Sequence, residues 1–255
     1  MMERLDVYLV RNGLVKSREK AIEFIKGGSV RLDGEVITKP STRLSENPQI
    51  EITPLYEFVG RGGVKLQKLI DEGLVSFENL KCLDIGASTG GFTDCMLRNG
   101  AKSVVALDVG SDELDDSLRE DSRVIVMEGI DIRDVESFPY DFDAISIDVS
   151  FISIIKVLPK AFEFLKEDGF IAALIKPQFE VGRGVAKKGI VKDRKEHIRV
   201  LKAIAEYIEV QGYYFEYLSH SPIKGGKGNI EYISLIKSGK TKEQMIEKIV
   251  EEAFR

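Results

Sequence analysis

The sequence has little cysteine, no excess of positive charge and no long apolar run. Cys82 and Cys95 are its two cysteines, and we expect both to be reduced packing residues, with neither a disulfide nor a metal site. A net charge of −5 means that the chain as a whole is not basic, so any nucleic-acid binding must come from local patches. The nearest approach to a membrane span, residues 144–158, is interrupted by Asp148 and Lys156, and the start lacks a signal-peptide core. These absences predict a cytoplasmic protein with no membrane partner.

Residues 1–55 have the pattern of a small separate domain with two helices and a β-hairpin. Ser17 is placed to cap the second helix, and Asp33-Gly34 between two short apolar runs predicts the hairpin. The first 31 residues hold seven Lys or Arg and four Asp or Glu, a local charge of +3. That charge fits either an RNA-facing surface or an ordinary solvated face. Residues 56–60 contain aromatic side chains, so we expect a docked connector there and not a free linker.

Residues 61–255 alternate strand-like and helix-like runs, the pattern of a doubly wound α/β domain. Strands are predicted at residues 80–85, 103–107, 123–127, 144–147, 170–175, 213–218 and 230–236. Helices are predicted at residues 91–98, 113–119, 152–165, 193–210 and 242–254. The connection between the last two strands is too short for a full crossover helix. One of these strands should therefore run antiparallel in a mostly parallel sheet.

A loop rich in small residues follows the first of these strands, in the run Asp84-Ile-Gly-Ala-Ser-Thr-Gly-Gly-Phe-Thr93. A glycine loop between a strand and a helix is where α/β proteins bind nucleotide-like ligands. The run has neither the Gly-Lys-Ser/Thr ending of a phosphate-binding loop nor the G-x-G-x-x-G spacing. Its acidic residue would repel a phosphate but suits the positive groups of S-adenosylmethionine, which we predict as the cofactor.

Acids also follow the next two strands. Asp108 ends the second strand, about twenty residues after the loop, where an acid hydrogen-bonds ribose hydroxyls in nucleotide-binding folds. Asp131 follows the third strand and is a candidate contact for the adenine amino group. Each has the alternative of an ordinary turn or loop residue. The predicted cofactor-binding residues are Asp84, Gly86, Ala87, Ser88, Thr89, Gly90, Gly91, Phe92, Asp108, Asp131 and Ile132.

Charged residues mark the later strand ends as well. Asp148 ends the fourth strand and Lys176 ends the fifth, so these two should face each other across the site. Glu231 lies in an apolar strand-like run, where an acid is costly to bury unless it is paired. Lys65 lies on the helix before the first strand.

The order and context of these four residues resemble the Lys-Asp-Lys-Glu tetrad of the FtsJ-type ribose 2′-O-methyltransferases. This resemblance implies that Lys65, Asp148, Lys176 and Glu231 are the catalytic residues. Residues 1–55 resemble the small RNA-binding domain of ribosomal small-subunit protein four. With the runs at residues 61–66, 176–180, 182–191 and 221–229, the whole chain resembles the TlyA family, also named hemolysin A. It departs from that family in the acidic segment 111–117 and at Asp131, where Asn is usual.

The resemblance implies an α/β, Rossmann-like methyltransferase domain at residues 61–255, with a mostly parallel seven-stranded sheet and one antiparallel strand. It implies a small α+β RNA-binding domain at residues 1–55. The implied activity is the S-adenosylmethionine-dependent 2′-O-methylation of cytidine in ribosomal RNA, with ribosomal RNA or ribosomal subunits as the partner.

Two roles stay open for Lys176: it either accepts the proton of the ribose hydroxyl or stabilises the developing negative charge. Asp148 would orient it, while Lys65 and Glu231 would hold the ribose. Residues 182–199 carry seven Lys or Arg against two acids, which favours an RNA-backbone contact over a solvated face. The predicted RNA-binding residues are Arg4, Arg18, Lys20, Arg31, Arg61, Arg183, Lys187 and Lys188.

Two other functions compete with this interpretation. A membrane-active hemolysin is disfavoured because the sequence shows neither a signal peptide nor a spanning segment. An RNA-binding ribosome-assembly factor without methyl transfer is disfavoured because the tetrad and the glycine loop are intact.

Overall fold

The computed structural model describes residues 3–182, 184–239 and 244–255. By its internal contacts the chain divides into two units, one that ends at Glu57 and one that runs from Phe58 to Arg255. Each unit has an apolar core of its own. The predicted limits of independent domains, at residues 55 and 61, stay a prediction. Within the described ranges, no helix combines the length and the apolar character needed to cross a membrane.

The smaller unit contains the predicted helix pair and hairpin. Its elements are α1 (Leu5–Arg11), α2 (Arg18–Lys26), β1 (Val30–Leu32), β2 (Glu35–Val36) and β3 (Ile50–Ile52). Ser17 Oγ accepts a hydrogen bond from the Lys20 N–H at 3.2 Å, which caps α2 as predicted. Asp33 and Gly34 have φ angles of 52° and 85°, the two positive values that a two-residue hairpin turn requires.

In the described part of the larger unit, seven strands form one sheet in the order β6-β5-β4-β7-β8-β10-β9. The strands are β4 (Lys81–Ile85), β5 (Ser103–Asp108), β6 (Val124–Glu128), β7 (Phe142–Ile147), β8 (Leu165–Ile175), β9 (Tyr213–His220) and β10 (Tyr232–Ser238). The helices are α3 (Arg61–Asp71), α4 (Gly91–Arg98), α5 (Asp116–Arg119), α6 (Leu158–Phe164), α7 (Pro177–Glu180), α8 (Arg194–Val210) and α9 (Ile246–Ala253). β10 is antiparallel to both of its neighbours, and the other neighbouring pairs are parallel. The predicted sheet with one antiparallel strand is therefore confirmed.

Side chains that alternate along the strands fill two apolar layers, one on each face of the sheet. On β4, Cys82 belongs to the layer that α3 and α4 cover, and Leu83 belongs to the layer that α6, α8 and α9 cover. Both layers leave the carboxyl ends of the parallel strands at one edge. That edge is where the predicted site residues lie.

Three predicted helices are shorter than expected. The helix predicted at residues 242–254 is α9, Ile246–Ala253, and residues 242 and 243 lie outside the described residues. The helix predicted at residues 152–165 is a 3₁₀ turn, Ile154–Lys156, followed by α6. Pro159 lies in the first turn of α6, where its missing N–H leaves no hydrogen bond unmade. The helix predicted at residues 113–119 begins only with α5, because Asp115 is its N-cap, with an extended backbone and a side chain that accepts the Ser117 N–H.

Candidate active site

Four charged side chains meet at one edge of the larger sheet because of the directions of its strands. β7 and β8 are parallel, so Asp148 and Lys176, which directly follow them, lie at the same edge. β10 runs antiparallel to β8, so its amino end lies there too, and Glu231 directly precedes it. α3 contributes Lys65 to the same group. The fold thus brings together the four residues predicted to be catalytic, and their role in catalysis stays a prediction.

These side chains form two ion pairs that are largely shielded from water. Lys65 Nζ donates to Glu231 Oε2 at 2.7 Å, and the two side chains are 7% and 3% exposed. Lys176 Nζ lies 2.6 Å from Asp148 Oδ1, with exposures of 10% and 20%. Burial acts to raise the pKa of Asp148, but the charges of Lys176 and Lys65 outweigh it and lower that pKa. Because the cluster contains two ammonium groups and two carboxylates, each buried charge has a partner of opposite sign.

Three residues that the sequence did not single out support these pairs. Ser150 Oγ accepts a hydrogen bond from Lys176 Nζ at 3.0 Å, and Gln178 Nε2 donates to Glu231 Oε1 at 3.1 Å. Gly225 approaches Glu231 so closely that a Cβ there would overlap its carboxylate. Gln178 and Gly225 both lie in runs that carry the family resemblance, which is the one signal that could have found them.

The glycine loop turns from β4 into α4 at the same sheet edge. Gly86 has a φ of +85°, and a Cβ there would lie 2.8 Å from the carbonyl oxygen of Asp148, so this approach requires glycine. Gly90 has a φ of +92° and immediately precedes α4. The remaining loop residues are buried at Ala87, Gly91 and Phe92, partly exposed at Thr89 and exposed at Ser88. The predicted strand-to-helix turn is confirmed, and the left-handed backbone at two of its positions explains Gly86 and Gly90.

Asp84 lies beneath this loop in the core. Its Oδ1 and Oδ2 accept hydrogen bonds from Ser146 Oγ and Thr93 Oγ1, each at 2.7 Å, and the residue is fully buried. Burial raises the pKa of Asp84 to about 6, although both hydroxyls oppose the rise. Asp84 therefore supports the start of α4 through Thr93, and its direct contact with a cofactor stays a prediction.

Asp108, at the end of β5, binds the loop itself. Its Oδ2 accepts the Ser88 N–H at 2.8 Å, and its Oδ1 accepts the Gly110 N–H at 2.7 Å. Glu113, from the acidic segment, accepts the Ser88 hydroxyl at 2.8 Å. Two carboxylates thus lie beside the exposed Ser88, where the hydroxyls of a ribose would find hydrogen-bond acceptors. Glu113 is an acid that the sequence did not assign to the site.

Asp131 and Ile132 follow β6 and have different surroundings. Arg133 Nη2 lies 2.6 Å from Asp131 Oδ2, and hydrogen bonding to Arg133 lowers the pKa of Asp131. Ile132 is 3% exposed and packs in the apolar core. Asp131 thus shares its carboxylate with Arg133, and an adenine contact by either Asp131 or Ile132 stays a prediction.

In the smaller unit, two of the predicted RNA-binding residues share one buried acid. Arg4 donates to both oxygens of Asp6 at 2.8 and 2.9 Å, and Arg18 Nε donates to Oδ2 at 3.1 Å. The Asp6 side chain is fully buried, whereas those of Arg4 and Arg18 are 38% and 56% exposed. Lys20 lies over the ring of Phe24, and the exposed Arg31 donates to a carbonyl in the hairpin turn. The predicted RNA contacts of these four basic residues stay predictions.

The other predicted RNA-binding residues belong to the larger unit. Arg61 is the first residue of α3, and its charge contributes to the lowered pKa of Asp148. Lys187 and Lys188 are exposed in the loop that precedes α8. Arg183 lies outside the described residues. Within the described ranges, no group of three or more His, Cys, Asp or Glu side chains could hold a metal ion.

A mostly parallel sheet with a glycine loop after one central strand and two buried Lys–carboxylate pairs beside it defines an α/β methyltransferase of the tetrad type. The chain belongs to the FtsJ-like methyltransferase family, whose model matches residues 58–237, and the model of the S4 domain matches residues 3–50. The resemblance stated from the sequence is confirmed, and the protein is a methyltransferase.

Named relatives match most of the chain. Hemolysin A of Brachyspira hyodysenteriae is 43% identical over 236 residues, which cover 91% of this chain and 98% of that protein. The 16S/23S rRNA (cytidine-2′-O)-methyltransferase TlyA of Mycobacterium tuberculosis is 40% identical over 234 residues, which cover 90% of this chain and 87% of that protein. The solved structure of a hemolysin-named protein from Streptococcus thermophilus has a TM-score of 0.80 and 37% identity, and the match covers 99% of this chain and 95% of that one.

Proposed function

We propose that the protein transfers a methyl group from S-adenosylmethionine to the 2′-hydroxyl of a cytidine ribose in ribosomal RNA. The observation that carries the proposal is the pair of buried Lys–carboxylate contacts, Lys65–Glu231 and Lys176–Asp148, beside the glycine loop. The S4 domain supports RNA as the substrate, and the TlyA relative supports a cytidine ribose in ribosomal RNA.

The residues of the loop fit the proposed donor. Asp108 and Glu113 place acceptors beside the loop for the hydroxyls of a ribose, and the close approach of Gly86 to the Asp148 carbonyl brings the loop against the tetrad. When bound, S-adenosylmethionine supplies a methyl group on a sulfonium, which needs no further activation as a leaving group. The protein must therefore align the two reactants and manage one proton.

The contacts of Lys176 indicate how the protein manages that proton. Methylation forms a carbon–oxygen bond, breaks the carbon–sulfur bond of the sulfonium and releases the hydroxyl proton. The ion pair with Asp148 and the hydrogen bond to Ser150 favour the second of the two open roles, in which the Lys176 ammonium stabilises the developing alkoxide while the proton passes to solvent. Lys65 and Glu231 would hold the ribose in line with the methyl group.

An exposed aromatic ring beside the tetrad fits the base of the target nucleotide. Phe151 is 91% exposed, has a φ of 63° and follows Asp148 by three positions. Its ring centre lies 5.0 Å from that of Phe179. Most aromatic rings in a protein are buried in its core, whereas the ring of Phe151 is exposed to solvent. Single-stranded RNA bases stack on exposed aromatic rings, so we include Phe151 in the RNA-binding surface.

Methyl transfer by a Lys176→Ala variant tests the proposal. We would measure the transfer of radiolabel from S-adenosylmethionine to ribosomal subunits that lack the modification, and map the 2′-O-methyl group in the product. We expect a fall of about 100-fold or more in kcat, with donor binding retained. The control is Lys166→Ala, which removes a Lys–Asp ion pair of the same 2.6 Å length at residues outside the site, with a lysine that is 47% exposed. Wild-type rates in Lys176→Ala, or a methyl group on a base, would refute the proposal.

A further inference from the structure

Two Gly- and Lys-containing loops meet at one buried side chain. The loops are residues 184–191 and residues 224–228, and the shared residue is Asn229, which is 4% exposed. Its Nδ2 donates to the carbonyls of Gly189 at 2.8 Å and Gly226 at 3.0 Å, and its Oδ1 accepts the Val191 N–H at 3.4 Å. One side chain thus makes three hydrogen bonds that tie both loops to the chain two positions before Glu231.

A second buried side chain holds the same loop from the other side. His197, on α8, is 1% exposed, and its ring nitrogens lie 3.0 Å from the Val191 carbonyl and 2.8 Å from the Tyr232 hydroxyl. A carbonyl can only accept, so Nε2 carries the proton and Nδ1 accepts from Tyr232. Tyr232 is the first residue of β10 and directly follows Glu231.

These polar contacts are the main attachment of the loop. Between residues 184 and 190 no described side chain is buried, whereas Val191 is 4% exposed. Lys187 and Lys188 are the basic residues of this loop. The position of their backbone therefore depends on the hydrogen bonds of Asn229 and His197. Asn229 also precedes Glu231 by two positions, and His197 contacts the side chain of Tyr232, which directly follows Glu231.

We propose that Asn229 and His197 are positioning residues that link the RNA-contacting loop to the tetrad. In this arrangement, an RNA backbone held by Lys187 and Lys188 is held at a set distance from the Lys65–Glu231 pair. The inference rests on the proposed function, because Glu231 matters here as part of the methyl-transfer site. It adds that substrate contact and catalytic geometry are coupled through two side chains that touch neither RNA nor donor.

The coupling is tested with Asn229→Ala and, as a matched control, Asn99→Ala. Asn99 is a partly buried amide that likewise donates to a backbone carbonyl, that of Cys95 in α4, and to the Gln67 side chain. For Asn229→Ala we expect a fall of about tenfold to 100-fold in kcat/KM for ribosomal subunits, faster hydrogen exchange at residues 189–191 and unchanged donor affinity. For Asn99→Ala we expect neither the fall in kcat/KM nor the faster hydrogen exchange.

A double-mutant cycle separates positioning from simple loss of structure. Lys187→Ala with Lys188→Ala should lower kcat/KM in the wild-type background and have a much smaller effect in the Asn229→Ala background. His197→Phe should repeat the exchange result, and His197→Gln, which can still donate and accept, should restore it. Additive effects, or a kcat/KM for Asn229→Ala equal to that of Asn99→Ala, would overturn the inference. Failure of the proposed function would look different, because the wild-type protein itself would then transfer no methyl group.

Discussion

Replacing Lys65 by methionine should destabilise the larger unit because it leaves a buried carboxylate without its cation. The Glu231 side chain is 3% exposed, and among the described residues it would keep the Gln178 amide as its hydrogen-bond partner. Removing one partner of a buried ion pair costs about 3–5 kcal/mol of unfolding free energy. For a unit of this size, each kcal/mol lowers the Tm by about 2–4 °C, so we expect a fall of about 6–20 °C.

The assay is urea unfolding of the full chain, followed by circular dichroism at neutral pH. Lys65→Met combined with Glu231→Gln should recover most of the loss, because no unpaired buried charge remains. Lys202→Met serves as the control, since Lys202 pairs with Glu247 at 2.6 Å but both side chains are more than half exposed, and its loss should cost about 1 kcal/mol or less. A Lys65→Met variant that loses less than about 1 kcal/mol, or a double variant that loses the sum of both single losses, would refute the reasoning.

Three further predictions concern the surroundings of the tetrad. Gly225→Ala should lower kcat by about tenfold or more, because its Cβ would displace the Glu231 carboxylate, whereas Gly226→Ala, with nothing within 4 Å of its Cβ, should not; equal rates would contradict this. Phe151→Ala should lower kcat/KM for RNA by about tenfold and leave the Tm unchanged, with Phe151→Tyr active, since a ring that is 91% exposed contributes little to packing; a lower Tm with unchanged kinetics would show a structural role. Burial lowers the pKa of His197 below its ordinary value of 6.5, although the Val191 carbonyl and Asp193 oppose the shift. The unfolded chain therefore takes up the proton first as the pH falls below about 6.5, and the unfolding free energy of wild type should fall relative to that of His197→Phe; a pH-independent difference in urea titrations would exclude this.

The strand pattern could be predicted because it depends on short-range features of the sequence, and the tetrad could be predicted because its four residues match the pattern of a known family. The short connection before β10 predicts that this strand runs antiparallel. Because of that direction, Glu231, which precedes β10, lies at the same edge of the sheet as Lys176, which follows β8. The glycines of the loop also follow local rules, since Gly86 and Gly90 have φ angles that other residues rarely adopt.

What the sequence could not show are contacts between residues far apart in the chain. Gln178 meets Glu231 across 53 positions, and nothing in the pattern of either segment indicates which polar side chains will face each other. Asp84 shows the same limit in another way. Its position before the loop suggests a ligand, but the hydroxyls that hold it come from α4 and β7, so its place in the core follows from packing.

The close approach of Gly86 to the backbone of Asp148 has a consequence for inhibitor chemistry. The glycine loop and the tetrad are in direct backbone contact here, because the Asp148 N–H also donates to the Ile85 carbonyl at 3.0 Å. Under the proposed function, a bisubstrate compound with an adenosine at one end and a target nucleoside at the other would lie across this contact. A resistance substitution at Gly86 would displace the backbone of Asp148, so we expect it to lower the activity of the enzyme as well.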